Sequence, residues 1–206
     1  MENFSEYLKK LNNGLKSLHQ SKLNLLFEEI DKRINSDNTI YLFGNGGSQA
    51  NASHIAGDYL KSFAIEGLKL KISNLTDNIC FLTAVSNDVS FEDAYSILFK
   101  TIIEENDLVI YLSGSGNSMN LVKCARLGKK IKGLNQVSIT AYNGGALNEI
   151  VDIPLHIKIS DMEVAEDCQL IIFHYLKQIL IQKNTKQRNF DLISKYQKRT
   201  MDDLIS

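Results

Sequence analysis

The sequence has little proline and little cysteine: one proline, Pro154, and three cysteines, Cys80, Cys124 and Cys168, over 206 residues. An odd, scattered cysteine set offers neither a disulfide framework nor close-set metal spacing, so a reduced compartment is the simplest expectation. An excess of either charge is missing too, since 23 basic and 24 acidic residues leave a formal net charge of −1. That balance gives no sign of an electrostatic nucleic-acid binder. No apolar run approaches the roughly 20 residues of a membrane span. The first residues, Met1 to Tyr7, lack the apolar core of a signal peptide. A cytoplasmic chain without membrane or nucleic-acid partners is therefore expected. What is present is ordinary for a globular protein: 44% hydrophobic and 23% charged residues, in a length sufficient for one full core.

Apolar residues recur three to five apart from Leu8 through Leu11, Leu15, Leu18, Leu23, Leu26 and Ile30 to Ile34, which predicts one long amphipathic helix over residues 3–35. Its stripe must be buried against the domain or against another subunit. Strands are predicted at Thr39–Phe43, Leu68–Leu75, Leu108–Leu112, Val137–Ala141 and Ile153–Ile159. Between them, helical spacing covers Ala50–Phe63, a short segment capped by Asp77-Asn78 and running to Val85, Phe91–Ile103, Met119–Ile131 and a turn at Ala146–Ile150. Ser86-Asn87-Asp88 reads as a polar break, and Met162–Gln182 as a long apolar helix. Strands alternating with helices predict an α/β sandwich on a mostly parallel sheet, with ligands at the carboxyl ends of its strands. One domain is expected over residues 1–183. A polar extension follows over 184–206, in which Phe190, Ile193, Tyr196 and Leu204 are spaced for a short amphipathic helix.

Two loops carry the chemistry. Gly44-Asn45-Gly46-Gly47-Ser48 joins the first strand to a helix, an arrangement that presents backbone N–H groups to an anion. Ser113-Gly114-Ser115-Gly116-Asn117-Ser118 does the same after the third strand and adds three hydroxyls. Hydroxyls and backbone amides converging on a small anion hold a phosphate without needing a lysine. The plainer alternative is a glycine/serine turn capped by Asn117 or Ser118.

His54 and Asp58 stand four apart, on one face of the helix after the first loop. Such a pair binds a divalent metal, shuttles protons, or is merely a surface pair worth a few tenths of a kcal/mol. In the last helix His174 has Glu166 and Asp167 eight and seven residues upstream, and both can share its side, with Asp167 the better placed by angle. Two helices with His/carboxylate pairs could together form a four-ligand divalent site, zinc by ligand type.

The ordered set of GNGGS at 44–48, His54, Asn87-Asp88, SGSGNS at 113–118, Asn143-Gly144-Gly145 and His174 resembles the sugar isomerase (SIS) domain family, and within it the phosphoheptose isomerases. The resemblance covers about residues 38–182, with the leading helix also fitting. It implies a three-layer α/β/α sandwich with a five-stranded parallel sheet, assembled as a homotetramer with shared sites. It also implies isomerisation of sedoheptulose 7-phosphate to D-glycero-D-manno-heptose 7-phosphate for lipopolysaccharide or capsule heptose. Position by position, Asn45, Gly46, Gly47, Asn87 and Asp88 would touch the sugar, and Ser113, Gly114, Ser115 and Ser118 the phosphate. His54, Asp58, Glu166 and His174 would hold one zinc ion per subunit, with Asp58 and His174 also acting as the acid/base pair. The family's eight-residue gap selects Glu166, which would also touch substrate.

Three positions depart from the family: Asp58 stands for a glutamate, Glu166 for a glutamine and Gly114 for a threonine. Isomerisation through a cis-enediol needs a well-placed base and a proton donor. Asp58 is one methylene shorter, about 1.5 Å less reach, and misplacement of that order costs ~10²-fold in rate. Glu166 adds a carboxylate that would strengthen cation binding. The expectation is a phosphosugar isomerase. The alternatives are an isomerase of another sugar phosphate and a non-catalytic SIS scaffold of the kind associated with replication initiation.

Overall fold

The computed structural model describes residues 3–185. Five strands form one parallel sheet: β1 (Thr39–Phe43), β2 (Lys71–Asn74), β3 (Leu108–Ser113), β4 (Asn135–Thr140) and β5 (Ile153–His156), in the order β2-β1-β3-β4-β5. Ile40 pairs with Leu108 and Phe43 with Tyr111, while Ser113 lies opposite Thr140. Every residue of β3 is buried, as a continuous apolar run in the middle of a parallel sheet requires.

Alternation along the strands divides the core in two. Ile40, Leu42, Leu108, Ile110 and Leu112 point to one face. There they meet α1 (Phe4–Lys16), α2 (Gln20–Asp31), α3 (Gly46–Ile65) and α8 (Met162–Thr185). Phe43, Val109 and Tyr111 point to the other face. That layer holds α4 (Ile79–Asp88), α5 (Phe91–Ile102), α6 (Met119–Gly128) and α7 (Gly145–Ile150). Phe43 sits edge-on to Tyr95, Phe99 and Tyr111 at the centre of this second cluster. The expected three-layer sandwich is the observed one.

Several boundaries differ from expectation. β2 and β5 are shorter than the predicted 68–75 and 153–159, and α6 stops at Gly128. The long N-terminal helix is two helices, broken at Ser17-Leu18-His19. Ser17 Oγ donates to the Gly14 carbonyl at 2.6 Å and accepts the Lys158 N–H at 2.8 Å, so the break is tied to the segment that follows β5. α4 runs on to Asp88, so Asn87 and Asp88 form its last turn rather than a break. The glycine loop is short because α3 begins at Gly46. The predicted helix in the polar extension lies outside the described residues.

Strand order 2-1-3-4-5 means that the chain leaves β1 toward one edge and β3 toward the other. The crevice between these departures is where open α/β sheets bind ligands. Both predicted loops flank it.

Candidate functional site

A cleft of about 260 Å³ opens at this crevice. Asn45, Gly46, Gly47 and Ser48 form one wall, and Ser113, Gly114, Ser115 and Ser118 the other, with Met162 and Glu166 closing it from α8. Asn45 holds the N-cap position of α3 yet makes no side-chain cap bond. Its amide is instead engaged with Asn120 of α6, Nδ2 to Oδ1 at 3.1 Å one way and 2.9 Å the other. This reciprocal pair locks the two walls together.

The serine loop is preorganised in the same way. Ser113 Oγ accepts the Gly116 N–H at 3.1 Å and Ser115 Oγ accepts the Asn117 N–H at 3.2 Å. Each hydroxyl keeps its own proton to donate to an anion. Ser118 precedes α6 without a side-chain cap bond, and the positive end of the helix field adds to the anion's stabilisation. The Asn143-Gly144-Gly145 segment braces this loop from behind. The Leu147 N–H donates to the Gly116 carbonyl at 3.0 Å, and the Ala146 N–H to Asn117 Oδ1 at 2.9 Å.

Glu166 lies over Gly47, so close that a Cβ there would stand 2.2 Å from its Oε2. Glycine is the one residue that lets this carboxylate seat against the helix start. Burial pushes the Glu166 carboxyl above the ordinary carboxylate range, and hydrogen bonds from the Ser48 N–H and hydroxyl partly offset the rise.

A second group lies farther along the same two helices. His54, Asp58 and His174 each offer a ligand atom within 4.8 Å of the others, the one such metal-capable group among the described residues. The Nε2 atoms of His54 and His174 are 3.1 Å apart, and His174 Nε2 is 3.8 Å from Asp58 Oδ2. Two imidazoles at ~2.0–2.1 Å from one tetrahedral ion would be about 3.3 Å apart. The donor set thus fits a divalent cation with small adjustment. Asp58 also accepts an ion pair from Lys177, one turn beyond His174.

The two groups are joined by a parallel helix pair. Glu166 covers Gly47, Asn51 Nδ2 donates to the Glu166 carbonyl and to Gln169 Oε1, His54 meets His174, and Asp58 meets Lys177. Tyr59 Oη donates to the Phe173 carbonyl at 2.8 Å, fixing the same register from within the core. Glu166 therefore sits at the cleft level and does not join the three ligands. Asp167 turns to α1, where it accepts the Tyr7 hydroxyl at 2.7 Å and pushes it up to about 12. Asn87 and Asp88 are exposed at the end of α4, bonded to each other at 2.9 Å, and line neither the cleft nor the cluster. Sequence reasoning missed Asn120, Gln169, Met162 and Lys177. Of these only Lys177 left a signal, its spacing of three from His174.

The SIS domain family matches residues 3–141, more than half of the chain. A phosphoheptose isomerase of Thermodesulfovibrio yellowstonii is 31% identical over 153 residues, 74% of this chain and 76% of the relative. The chain belongs to the SIS-domain family and, within it, to the phosphoheptose isomerases. A probable phosphoheptose isomerase of Thermoplasma acidophilum is 27% identical over 86% of this chain and 97% of its own length. Among solved structures, a phosphoheptose isomerase from Francisella tularensis has a TM-score of 0.79 at 21% identity, covering 87% of this chain and 94% of that one. This likeness is one of fold.

For a phosphoheptose isomerase, one of the three departures has a local explanation. A Cβ at Gly114 would stand 2.2 Å from the Met162 sulfur, so this chain fills with Met162 the space a threonine would take. Glu166 brings a carboxylate to the cleft between the two loops. The folded carboxyl titrates above its unfolded value, so its contribution to stability is full below about 4.5, the ordinary value. That contribution is lost as pH rises through the folded value. Glu166→Gln removes this loss while keeping an acceptor for the Ser48 N–H. Its urea midpoint should match wild type in acid and exceed it at neutral pH. Removing the negative charge should also lower KM for a sugar phosphate about threefold or more.

Proposed function

We propose that this phosphoheptose isomerase interconverts sedoheptulose 7-phosphate and D-glycero-D-manno-heptose 7-phosphate, supplying heptose for lipopolysaccharide or capsule. The observation that carries the reading is the spacing of the two groups along α3. His54 follows Gly47 by seven residues, ~10 Å of helix rise. At roughly 1.2 Å of reach per covalent bond, the eight bonds from C1 to phosphorus of an extended heptulose 7-phosphate span a similar length. With its phosphate among Ser113, Ser115 and Ser118, the sugar brings C1 and C2 to Asp58 and His174.

In the ketose-to-aldose direction Asp58 takes a proton from C1 while the C2 oxygen gains one from His174. This forms the cis-enediol. Asp58 then returns its proton to C2, and His174 takes the proton of the C1 hydroxyl, leaving an aldehyde at C1. His54, Asp58 and His174 are the residues that would hold zinc, which would supply Lewis-acid stabilisation of developing negative charge. Asn45 and the first turn of α3 orient the sugar, and Glu166 sets the charge of the cleft. Leu60, Ile171 and Tyr175 are exposed apolar residues on the same two helices. They support assembly through this face into a homotetramer with shared sites, into which Asn87 and Asp88 of another subunit would enter. No described helix is long and apolar enough to cross a membrane, in keeping with a cytoplasmic enzyme.

Carbon-13 NMR of purified protein with sedoheptulose 7-phosphate and zinc should show an aldose C1 signal growing to equilibrium, slowed by a chelator. Conversion of fructose 6-phosphate but not of the heptulose would assign the site to a shorter sugar.

A further inference from the structure

Lys177 is the one cation among the described ion pairs that touches the His/Asp cluster. Its ammonium contacts Asp58 Oδ2, the same oxygen that stands 3.8 Å from His174 Nε2. His54, His174 and Asp58 meet one another in this group, and Lys177 brings a positive charge directly onto Asp58. Both side chains of the Lys177–Asp58 pair are mostly buried, 18% and 23% exposed, so solvent screens the pair weakly. The stem of Lys177 leaves α8 one turn beyond His174, on the side facing α3.

We propose that Lys177 is a built-in competitor for the metal: a tethered ammonium that holds the inner oxygen of Asp58 and must yield it before a divalent ion binds. The inference rests on the metal reading of His54, Asp58 and His174. With neutral imidazoles, Asp58 and Lys177 sum to zero charge. A divalent ion arriving in this half-buried site therefore finds its one anionic ligand already paired and a positive charge beside it. The competition lowers metal affinity and keeps Asp58 aligned while the site is empty. It also gives a reason for aspartate at this position. A glutamate, longer by one methylene, would carry its oxygens beyond the register in which Lys177 and His174 share one of them.

The test is zinc affinity at fixed pH, read by competition with a chromophoric chelator, for wild type, Lys177→Met and Lys177→Arg. Methionine keeps the length and packing of the stem and removes the charge. Its zinc affinity should rise about 10- to 100-fold, and its zinc-induced increase in Tm should exceed that of wild type. Lys177→Arg should remain near wild type. If Lys177→Met does not fold, Lys177→Gln serves in its place. Equal affinity in wild type and the neutral variant would overturn the competition while leaving the metal site standing. Weaker binding in the variant would overturn it too, by making Lys177 an aid to the site. No zinc binding in any of the proteins would remove both the competition and the metal reading.

Discussion

Replacing His174 with glutamine should lower kcat for heptulose phosphate isomerisation by about 10³-fold, within the ~10²–10⁴ that a positioned acid or base contributes. KM should change little, because the phosphate and the glycine-loop contacts lie two helical turns away at the cleft. Glutamine is close in volume and keeps polar atoms at the position, but it neither donates a proton on the catalytic timescale nor ligates zinc well. Zinc affinity should therefore fall in parallel, by ~10²-fold for one lost ligand of three or four. His174 is 44% exposed at its side chain, so its loss should leave the urea midpoint near wild type. A fall in kcat without a fall in stability separates a chemical role from a structural one. An unchanged kcat would place the acid/base chemistry elsewhere, with Glu166 the next residue to examine.

The second large effect belongs to a residue with no functional atom. Gly116 has φ +66°, and a Cβ there would lie 2.0 Å from the Gly144 carbonyl oxygen and 2.7 Å from its carbon. Both obstacles are backbone, so no rotamer change relieves them. Gly116→Ala must push the serine loop away from the 143–145 segment. It thereby breaks the bonds from the Leu147 and Ala146 N–H groups that hold the loop in its anion-binding shape. The expected result is a KM for sugar phosphate at least about 30-fold higher, with a smaller change in kcat. A stability cost of roughly 2–4 kcal/mol should accompany it. Gly57→Ala is the matched control: among the described residues nothing beyond its own helix backbone and chain neighbours lies within 4 Å of a Cβ there, and in mid-helix the change should be neutral or slightly stabilising. If Gly116→Ala binds inorganic phosphate as wild type does, the serine loop is not the phosphate site.

The sheet was legible because its signals are local. Leu108–Leu112 is apolar without interruption, and every one of those residues is buried. Thr39–Phe43 is bounded by polar and glycine residues at the two ends where the strand stops. Boundaries set by tertiary contacts were not legible. The break after Lys16 depends on Ser17 reaching the Lys158 N–H, 141 positions away, and the apolar stripe runs past it. The last turn of α4 was read as a break because Ser86, Asn87 and Asp88 are polar, although an exposed helix end tolerates all three.

The site divides in the same way. His54 and Asp58 could be foreseen as partners because helical spacing puts them on one face of α3, whereas His174, on α8, is joined to them by the family resemblance. The choice between Glu166 and Asp167 could not be made from spacing, which favours Asp167. In the structure Tyr7 takes Asp167 and Gly47 admits Glu166 to the cleft, so neither carboxylate joins the metal-capable group. The separation of Glu166 from the metal-capable group, the Asn45–Asn120 pair and the ion pair of Asp58 with Lys177 all depend on the register of packed helices. A one-dimensional pattern does not record that register.

In the proposed mechanism Asp58 shuttles a proton between C1 and C2 of a heptulose phosphate bound by the serine loop. The most direct test is isomerisation in deuterated water, with the position of the label read by NMR. A base that exchanges its proton with solvent during the enediol's lifetime should place deuterium at C2 of the aldose product and, on reversal, at C1 of the ketose. That label should disappear in Asp58→Asn and persist at reduced rate in Asp58→Glu. Turnover with no solvent label at either carbon, or labelling undiminished in Asp58→Asn, would contradict the account.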